Sequence, residues 1–343
     1  MSHEILFYFQ DPGGSNFFGD VLGNINIPSN ARAMVHPLSH HLIDKNIFSN
    51  FELCNQNLSK EYWLKYLGLN KIKRVISTLS SKYKDLSNCN LIEACNELDI
   101  ETLGFLDHWK GFERLTSGNS LTYCPSLLGV IDDVASERAQ SLGVDKQNIR
   151  TVGHPQLEKR LNTASFEKSF THNNFNICLL SQPNTMDKSF LSIYKKREDD
   201  NELLDSIKNI IFRELPNSEF VLRQHPKENA ISEYSRQIDI SSWEDCLKKN
   251  QIFIGVSSIT MLEAYLSGKI VIELAFKELP VRKNEIPYNT GCKVTNLKQF
   301  TDALKKIKQN RANSNNRYDE DLECALEMSA ERLQALVLDF MSK

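Results

Sequence analysis

The chain has 343 residues, which is long for one ordinary domain and suits two of about 150 each. Its 41% hydrophobic and 25% charged residues are globular proportions, and a net charge of −3 gives no support for general nucleic-acid binding. Eight scattered cysteines, with no C-x-x-C spacing and no accompanying histidine cluster, argue against a zinc site or a disulfide scaffold and for reduced thiols.

The first predicted strand is the apolar run Ile5-Leu6-Phe7-Tyr8-Phe9, whose continuity fits a parallel strand buried on both faces. Met1-Ser2-His3-Glu4 before it has no basic stretch, so no signal peptide is expected and a cytoplasmic location is. A glycine-rich turn follows, Gln10-Asp11-Pro12-Gly13-Gly14-Ser15. At this place α/β proteins put backbone that touches ligands, although Asp-Pro-Gly-Gly is also an ordinary turn sequence. Residues 31–36 and 74–78 read as strands, 91–98 as a helix and 101–106 as a strand. His40-His41 reads as a solvated loop or helix start. Asp107-His108-Trp109 then stands at a strand's carboxyl end. It reads either as a general-base constellation beside an aromatic that stacks on a sugar, or as a structural turn with a buried tryptophan.

Residues 127–131 form the next strand and 133–141 a helix. The segment ending Gly153-His154-Pro155 closes the first half, and residues 162–174 read as a polar linker. The second half opens with a strand over 175–180 leading to Ser181-Gln182. A charged, solvated run at 195–200 and a helix over 203–215 follow. After the central stretch come a short strand over 291–294 and a helix over 300–307. A single long helix is expected over 321–341. The apolar region 253–276 carries Glu263, Lys269 and Glu273, so it does not read as a membrane span.

The stretch 220–273 carries the most specific chemistry. An apolar strand delivers Arg223-Gln224-His225-Pro226 at its end, and a second strand delivers Gly255-Val256-Ser257-Ser258 before an amphipathic helix that holds Glu263. A turn of small residues at a strand's carboxyl end leaves the next helix's N–H groups free to hold a phosphate. Ser257 and Ser258 add hydroxyls, Arg223 and His225 stand one strand away, and Glu263 is placed to accept from ribose hydroxyls. The plainer alternative is that Ser257 only caps the helix and Glu263 is solvated.

At these residues the chain resembles the GT-B glycosyltransferases. Arg223-x-His225-Pro226 and Ser257-Ser258-x-x-x-x-Glu263-Ala264 are similar to the His-Pro and Ser/Thr motifs of bacterial sialyltransferases, capsule Kdo transferases and the glycerophosphotransferases of teichoic acid synthesis. The resemblance implies two Rossmann-like domains with parallel sheets facing a central cleft. An N-terminal acceptor-binding domain would span 1–160 and a C-terminal nucleotide-donor-binding domain 161–318, with a final helix, 319–343, crossing back onto the first. It implies a CMP- or CDP-linked donor held by Ser181, Gln182, Arg223, His225, Pro226, Ser257, Ser258 and Glu263. The acceptor would lie near Gly13, Gly14, Ser15 and Trp109, with Asp11, Asp107 or His108 as the base. The second His-Pro, His154-Pro155, is read by position as the hinge between domains.

The expected function is transfer of a sugar from a nucleotide-activated donor to a glycan or lipid-linked glycan acceptor, in capsule, lipopolysaccharide or related polysaccharide synthesis. No Asp-x-Asp metal motif is present, so a metal-independent reaction is expected, with no cofactor beyond the nucleotide sugar as co-substrate. Peripheral association with the inner face of a membrane is compatible with that chemistry. Two alternatives stand beside it: a UDP-sugar epimerase or hydrolase similar to UDP-GlcNAc 2-epimerase, and a non-catalytic nucleotide- or glycan-binding protein on the same fold.

Overall fold

The structure is a computed structural model that describes residues 4–55, 57–82, 85–163, 175–181, 203–224, 238–256, 258–276, 286–288, 291–309 and 320–343. The chain divides into two compact units. The first comprises Met1–Lys159 with Asp321–Lys343, and the second Arg160–Glu320.

Unit 1 is built on a seven-stranded sheet in the order β3-β2-β1-β4-β5-β6-β7. Its strands are β1 (Ile5–Phe9), β2 (Ala31–Val35), β3 (Asn50–Leu53), β4 (Arg74–Thr78), β5 (Glu101–Phe105), β6 (Leu127–Val130) and β7 (Ile149–Thr151). Every pairing is parallel. The pleat of β1 shows why its sequence is apolar throughout. Ile5, Phe7 and Phe9 pack with α1 (Pro12–Leu22) and α11 (Ser329–Ser342), while Leu6 and Tyr8 pack with α2 (Lys60–Leu69) and α3 (Ser87–Glu97). Strand order reverses direction at β1 and β4, so the crevice outside their carboxyl ends is the topological switch point where α/β sheets bind ligands.

Three local expectations change. Pro12 opens α1 directly, so the Gly13-Gly14-Ser15 segment is the first turn of a helix rather than a separate loop. Strand β3 and helix α2 were not anticipated from the sequence. The expected single C-terminal helix is two, α10 (Glu320–Leu326) and α11, separated at Met328 with φ of 53°. The break has a tertiary cause. It seats the buried Ser329 hydroxyl so that it donates to Leu326 O and accepts from His154 N at 2.9 Å. Gly153, with φ of +73°, lies so close that a Cβ there would come within 2.6 Å of Ser329 Cβ. The C-terminal segment is thereby fastened to the turn between β7 and α5 (Pro155–Thr163), and Ala330 N donates to Glu158 Oε2 at 3.0 Å. The first two residues of the expected linker, Asn162 and Thr163, end α5, and the rest of it lies outside the described residues.

Unit 2 has a five-stranded sheet in the order β12-β11-β10-β8-β9. Its strands are β8 (Asn176–Leu180), β9 (Glu219–Arg223), β10 (Ile252–Gly255), β11 (Ile270–Leu274) and β12 (Cys292–Val294), again all parallel. One face is covered by α6 (Leu203–Glu214) and α9 (Leu297–Lys308) through Ile207, Ile211, Phe300 and Leu304. The opposite face meets α7 (Trp243–Lys249), where Trp243 packs on Phe253 with ring centroids 5.7 Å apart. Here the switch point lies between β8 and β10. Helix α8 (Ile259–Leu266) starts just beyond β10. All eight cysteines are free thiols. No helix among the described residues is long and apolar enough to cross a membrane. The charged run at 195–200 lies outside the described residues.

Candidate functional site

In unit 1 the loops after β1, β4 and β5 are tied together by two carboxylates and an arginine. Asp11 precedes α1 and its Oδ2 accepts from Ser81 N at 3.0 Å, beyond the end of β4. Asp107, beyond the end of β5, accepts from Arg114 Nη1 at 2.9 Å, and the same nitrogen donates to Leu79 O at 2.6 Å. The second oxygen of Asp107 lies over the first turn of α1, because a Cβ on Gly13 would stand 3.1 Å from Asp107 Oδ2. A helix N-terminus is a favourable place for a carboxylate. Arg114 is deeply buried. Burial opposes its charge, but the carboxylates of Asp107 and Asp11 more than offset that and hold its pKa above the ordinary arginine value.

Asp11, Gly13 and Asp107 therefore lie close together around Arg114, and four residues named beside them make other contacts. Trp109 is fully buried and its indole N–H donates to Asp132, so it belongs to the core and offers no face to a sugar. Ser15 is buried and its hydroxyl donates to Asp11 O at 2.9 Å inside the first helical turn. Gly14 is packed against Thr78, where a Cβ would fall within 2.5 Å of Thr78 Cβ. His108 is buried, and its Nδ1 accepts from Lys110 N at 3.1 Å, so the neutral ring carries its proton on Nε2. Burial chiefly, with Lys110, Arg114 and Arg138 adding, pushes its pKa well down. With Nδ1 occupied and Nε2 protonated, this imidazole is a hydrogen-bond donor and not a base. His154, read as the hinge histidine, is buried with its pKa pushed down to about 4 by burial, and its ring packs edge-on against Phe17 at 5.1 Å.

Unit 2 arranges its site residues around the β8–β10 switch point. Ser181 follows β8, is buried, and its N–H continues the ladder to Arg223 O at 2.9 Å. Ser258 caps α8, its Oγ accepting from Met261 N at 3.2 Å, so the cap considered for Ser257 falls on its neighbour. Gly255 permits the strand ends to meet closely, since a Cβ would lie 3.2 Å from Leu180 O. Arg223 donates to Ser241 O at 3.0 Å and pairs with Asp239 at 3.4 Å, and its guanidinium lies 5.5 Å over the Trp243 ring. It thus props the loop 239–242 from within. Gln182, His225, Pro226 and Ser257 lie outside the described residues.

Glu263 departs most from its sequence reading. It points inward at 4% exposure, accepts from Trp243 Nε1, and lies 3.6 Å from Arg160 Nε. Arg160 spends its fork on Glu244, with Nη1 donating to Oε2 at 2.8 Å and Nη2 to Oε1. Burial raises the pKa of Glu263 to about 7 although Arg160 and the Trp243 indole act to lower it. The two partners are perturbed in ways that favour different forms for a physical reason. Arg160, though burial opposes it, gains two carboxylates and is held above its ordinary value, whereas Glu263 gains only the more distant side of a cation already engaged.

Arg114 has no marker in the sequence. Its signal is three-dimensional, because Gly111, with φ of 89°, turns the loop so that Arg114 returns to Asp107. Arg160 and Trp243 were missed for the same kind of reason. Among the described residues no cluster of His, Cys, Asp and Glu could hold a metal ion.

No protein-family model matches the sequence, and no characterised protein matches it by sequence. Solved structures do match over the whole length. The UDP-GlcNAc 2-epimerase of Methanocaldococcus jannaschii, in complex with UDP-GlcNAc and UDP, superposes with a TM-score of 0.66 at 13% identity, covering 98% of this chain and 99% of that one. The Anabaena protein HepE, in complex with UDP, gives 0.56 at 12% identity and 99% coverage of both chains. The lipopolysaccharide outer core galactosyltransferase WaaB gives 0.50 at 13% identity, covering 98% and 99%. These likenesses, with the two parallel sheets described above, define a GT-B fold of two Rossmann-like domains.

Proposed function

We propose that this protein is a nucleotide-sugar-processing enzyme, in which unit 2 holds the nucleotide and unit 1 supplies the carboxylates for proton transfer. The observation that carries the reading is the pair of switch points. Each sheet has one, and each carries polar groups among the described residues: Asp11, Asp107 and Arg114 in unit 1, and Ser181, Ser258 and the start of α8 in unit 2. Ser257, His225 and Gln182 belong to this proposal by sequence. Asp11 and Asp107 are the groups proposed to take a proton from an acceptor hydroxyl, since His108 is held in its donor tautomer. Glycosyl transfer to a glycan acceptor is the finer reading drawn from the Arg-x-His-Pro and Ser-Ser motifs.

A specific observation favours a second reading. The full-length likeness to a UDP-GlcNAc 2-epimerase makes epimerisation of a UDP-sugar, with no acceptor, an equal competitor. Two measurements separate them. Thermal stabilisation by CMP, CDP, UDP, UMP, GDP and ADP identifies the nucleotide, because a ligand that binds only the folded state raises the midpoint with its occupancy. Proton NMR of the matching nucleotide sugar, incubated with protein alone, then shows either a second sugar signal (an epimerase) or no change until an acceptor is added (a transferase). Stabilisation by none of the nucleotides would overturn the proposal. Binding without turnover under either condition would leave a non-catalytic nucleotide-binding protein.

A further inference from the structure

Buried polar atoms without a hydrogen-bond partner are uncommon, and each calls for an explanation. In unit 1 five of them belong to residues that end β4 and β5 or follow them: Thr78 Oγ1, Ser80 Oγ, Asp85 Oδ2, His108 Nε2 and Arg114 Nε, of which the Asp85 oxygen faces His36 Nε2 at 3.8 Å. The two strands are neighbours, with Thr78 opposite Phe105. The nitrogens among these atoms are donors only. Arg114 Nε always carries a hydrogen, and His108 carries its proton on Nε2 because Nδ1 accepts from Lys110 N. The surroundings are cationic. Lys110, Arg114 and Arg138 act on the His108 ring, and Arg138 is held close by donating to Trp109 O. The nearby acids are already engaged, Asp107 by Arg114, and Asp132 by the Trp109 indole and by Ala135 N at 2.8 Å.

Unmet donors in a positive field call for an anion, not for another hydroxyl. We propose that the carboxyl edge of β4 and β5 binds an anionic substituent, a carboxylate or a phosphate ester, on the saccharide that unit 1 handles. His108 is then a specificity-determining donor and Lys110 a neighbouring charge that favours the bound anion. Residues 106–111, which carry His108, are irregular backbone rather than helix or strand. This inference rests on the nucleotide-sugar reading for the identity of the ligand as a sugar.

The test is ligand-observed NMR on the full chain with glucuronate, glucose 6-phosphate, neutral glucose and inorganic phosphate. Glucuronate or glucose 6-phosphate, whichever carries the right anion, is expected to bind at concentrations where glucose shows no binding. His108→Phe should weaken that binding at least about tenfold, the scale of a lost charge-assisted hydrogen bond. Lys110→Gln, at a half-exposed position, should weaken it several-fold and keeps the test alive where the histidine variant fails to fold. Both variants should retain the nucleotide stabilisation of the wild type. Equal binding of glucose, or inorganic phosphate binding as tightly as either acidic sugar, would overturn the proposal. So would nucleotide stabilisation with no binding of either acidic sugar, a result that leaves the nucleotide-sugar reading intact. Loss of nucleotide stabilisation in the wild type strikes that reading instead.

Discussion

Replacing Glu263 with glutamine should change how stability responds to pH, and the size of the change follows from the structure. The carboxyl group is buried and holds its proton up to about pH 7, against an ordinary value of 4.5. The folded state therefore binds this proton more tightly than the unfolded chain does. The stabilisation is fully present below the ordinary carboxylate range and is lost as pH rises through about 7. Between pH 8 and pH 5.5 the wild type should gain roughly 2 kcal/mol from this group alone by the linkage relation. His108 and His154 act in the opposite sense, since their depressed values cost stability as pH falls, but their effect cancels when wild type and Glu263→Gln are compared at each pH. Urea denaturation of both proteins at pH 5.5 and pH 8 is the assay. The wild type should exceed the variant by about 2 kcal/mol more at the lower pH. A difference that is the same at both values, or larger at pH 8, would refute the assignment of Glu263 as the buried proton carrier.

Other substitutions test the packing that shapes the two switch points. Gly14→Ala drives a methyl group into Thr78 and should cost about 1–3 kcal/mol by overpacking, whereas Gly19→Ala, in the same helix with open space around it, should stabilise by up to about 1 kcal/mol; thermal melts of the two side by side decide it. Ser258→Ala removes the cap of α8 and should cost about 1 kcal/mol, measured by chemical denaturation. Gly153→Ala meets both an unfavourable φ of +73° and the Ser329 side chain, so it should loosen the C-terminal helix, seen as faster amide exchange across residues 329–342 while unit 2 amides stay unchanged.

Much of the fold was legible because its signals are local. The unbroken apolar run of β1 marks a strand covered on both faces. The helix read over 133–141 forms over those residues, and Asp132 caps it, its Oδ1 accepting from Ala135 N. What escaped has weak local signals. Strand β3 is four residues, none of them fully buried, and α2 commits only Trp63 and Leu67 to the core. The break at Met328 has no local marker, because a non-glycine residue there adopts a left-handed φ so that Ser329 can reach His154. For the site, strand-end placement puts Asp11, Asp107, Ser181 and Ser258 at the carboxyl edges of their sheets, where their sequence positions place them. Side-chain direction was the part that failed. Trp109 turned inward because Asp132, twenty-three residues on, accepts its indole N–H. Glu263 turned inward because Trp243 and Arg160, from two other helices, meet it.

The inward turn of Glu263 also bears on why an acid is there at all. A buried ion pair is weak evidence for stability, since the desolvation of its charges can exceed their attraction. Arg160 does not depend on Glu263, because Glu244 already takes both prongs of its fork. Trp243 needs an acceptor for its N–H but not a charged one. Folding thus accounts for an acceptor at this position and leaves the carboxylate unexplained, one turn into the helix whose N-terminus lies at the switch point of unit 2. If that carboxylate is kept for a ligand's hydroxyls, Glu263→Gln at pH 8 should stay within about 1 kcal/mol of wild-type stability, since the amide still accepts from Trp243. The same variant should lose most of the thermal stabilisation conferred by the cognate nucleotide but not that conferred by its free base. A variant that keeps full nucleotide stabilisation would show that the charge is not read by the ligand. A variant that unfolds at pH 8 would show that the Arg160 contact, at 3.6 Å, is structural after all.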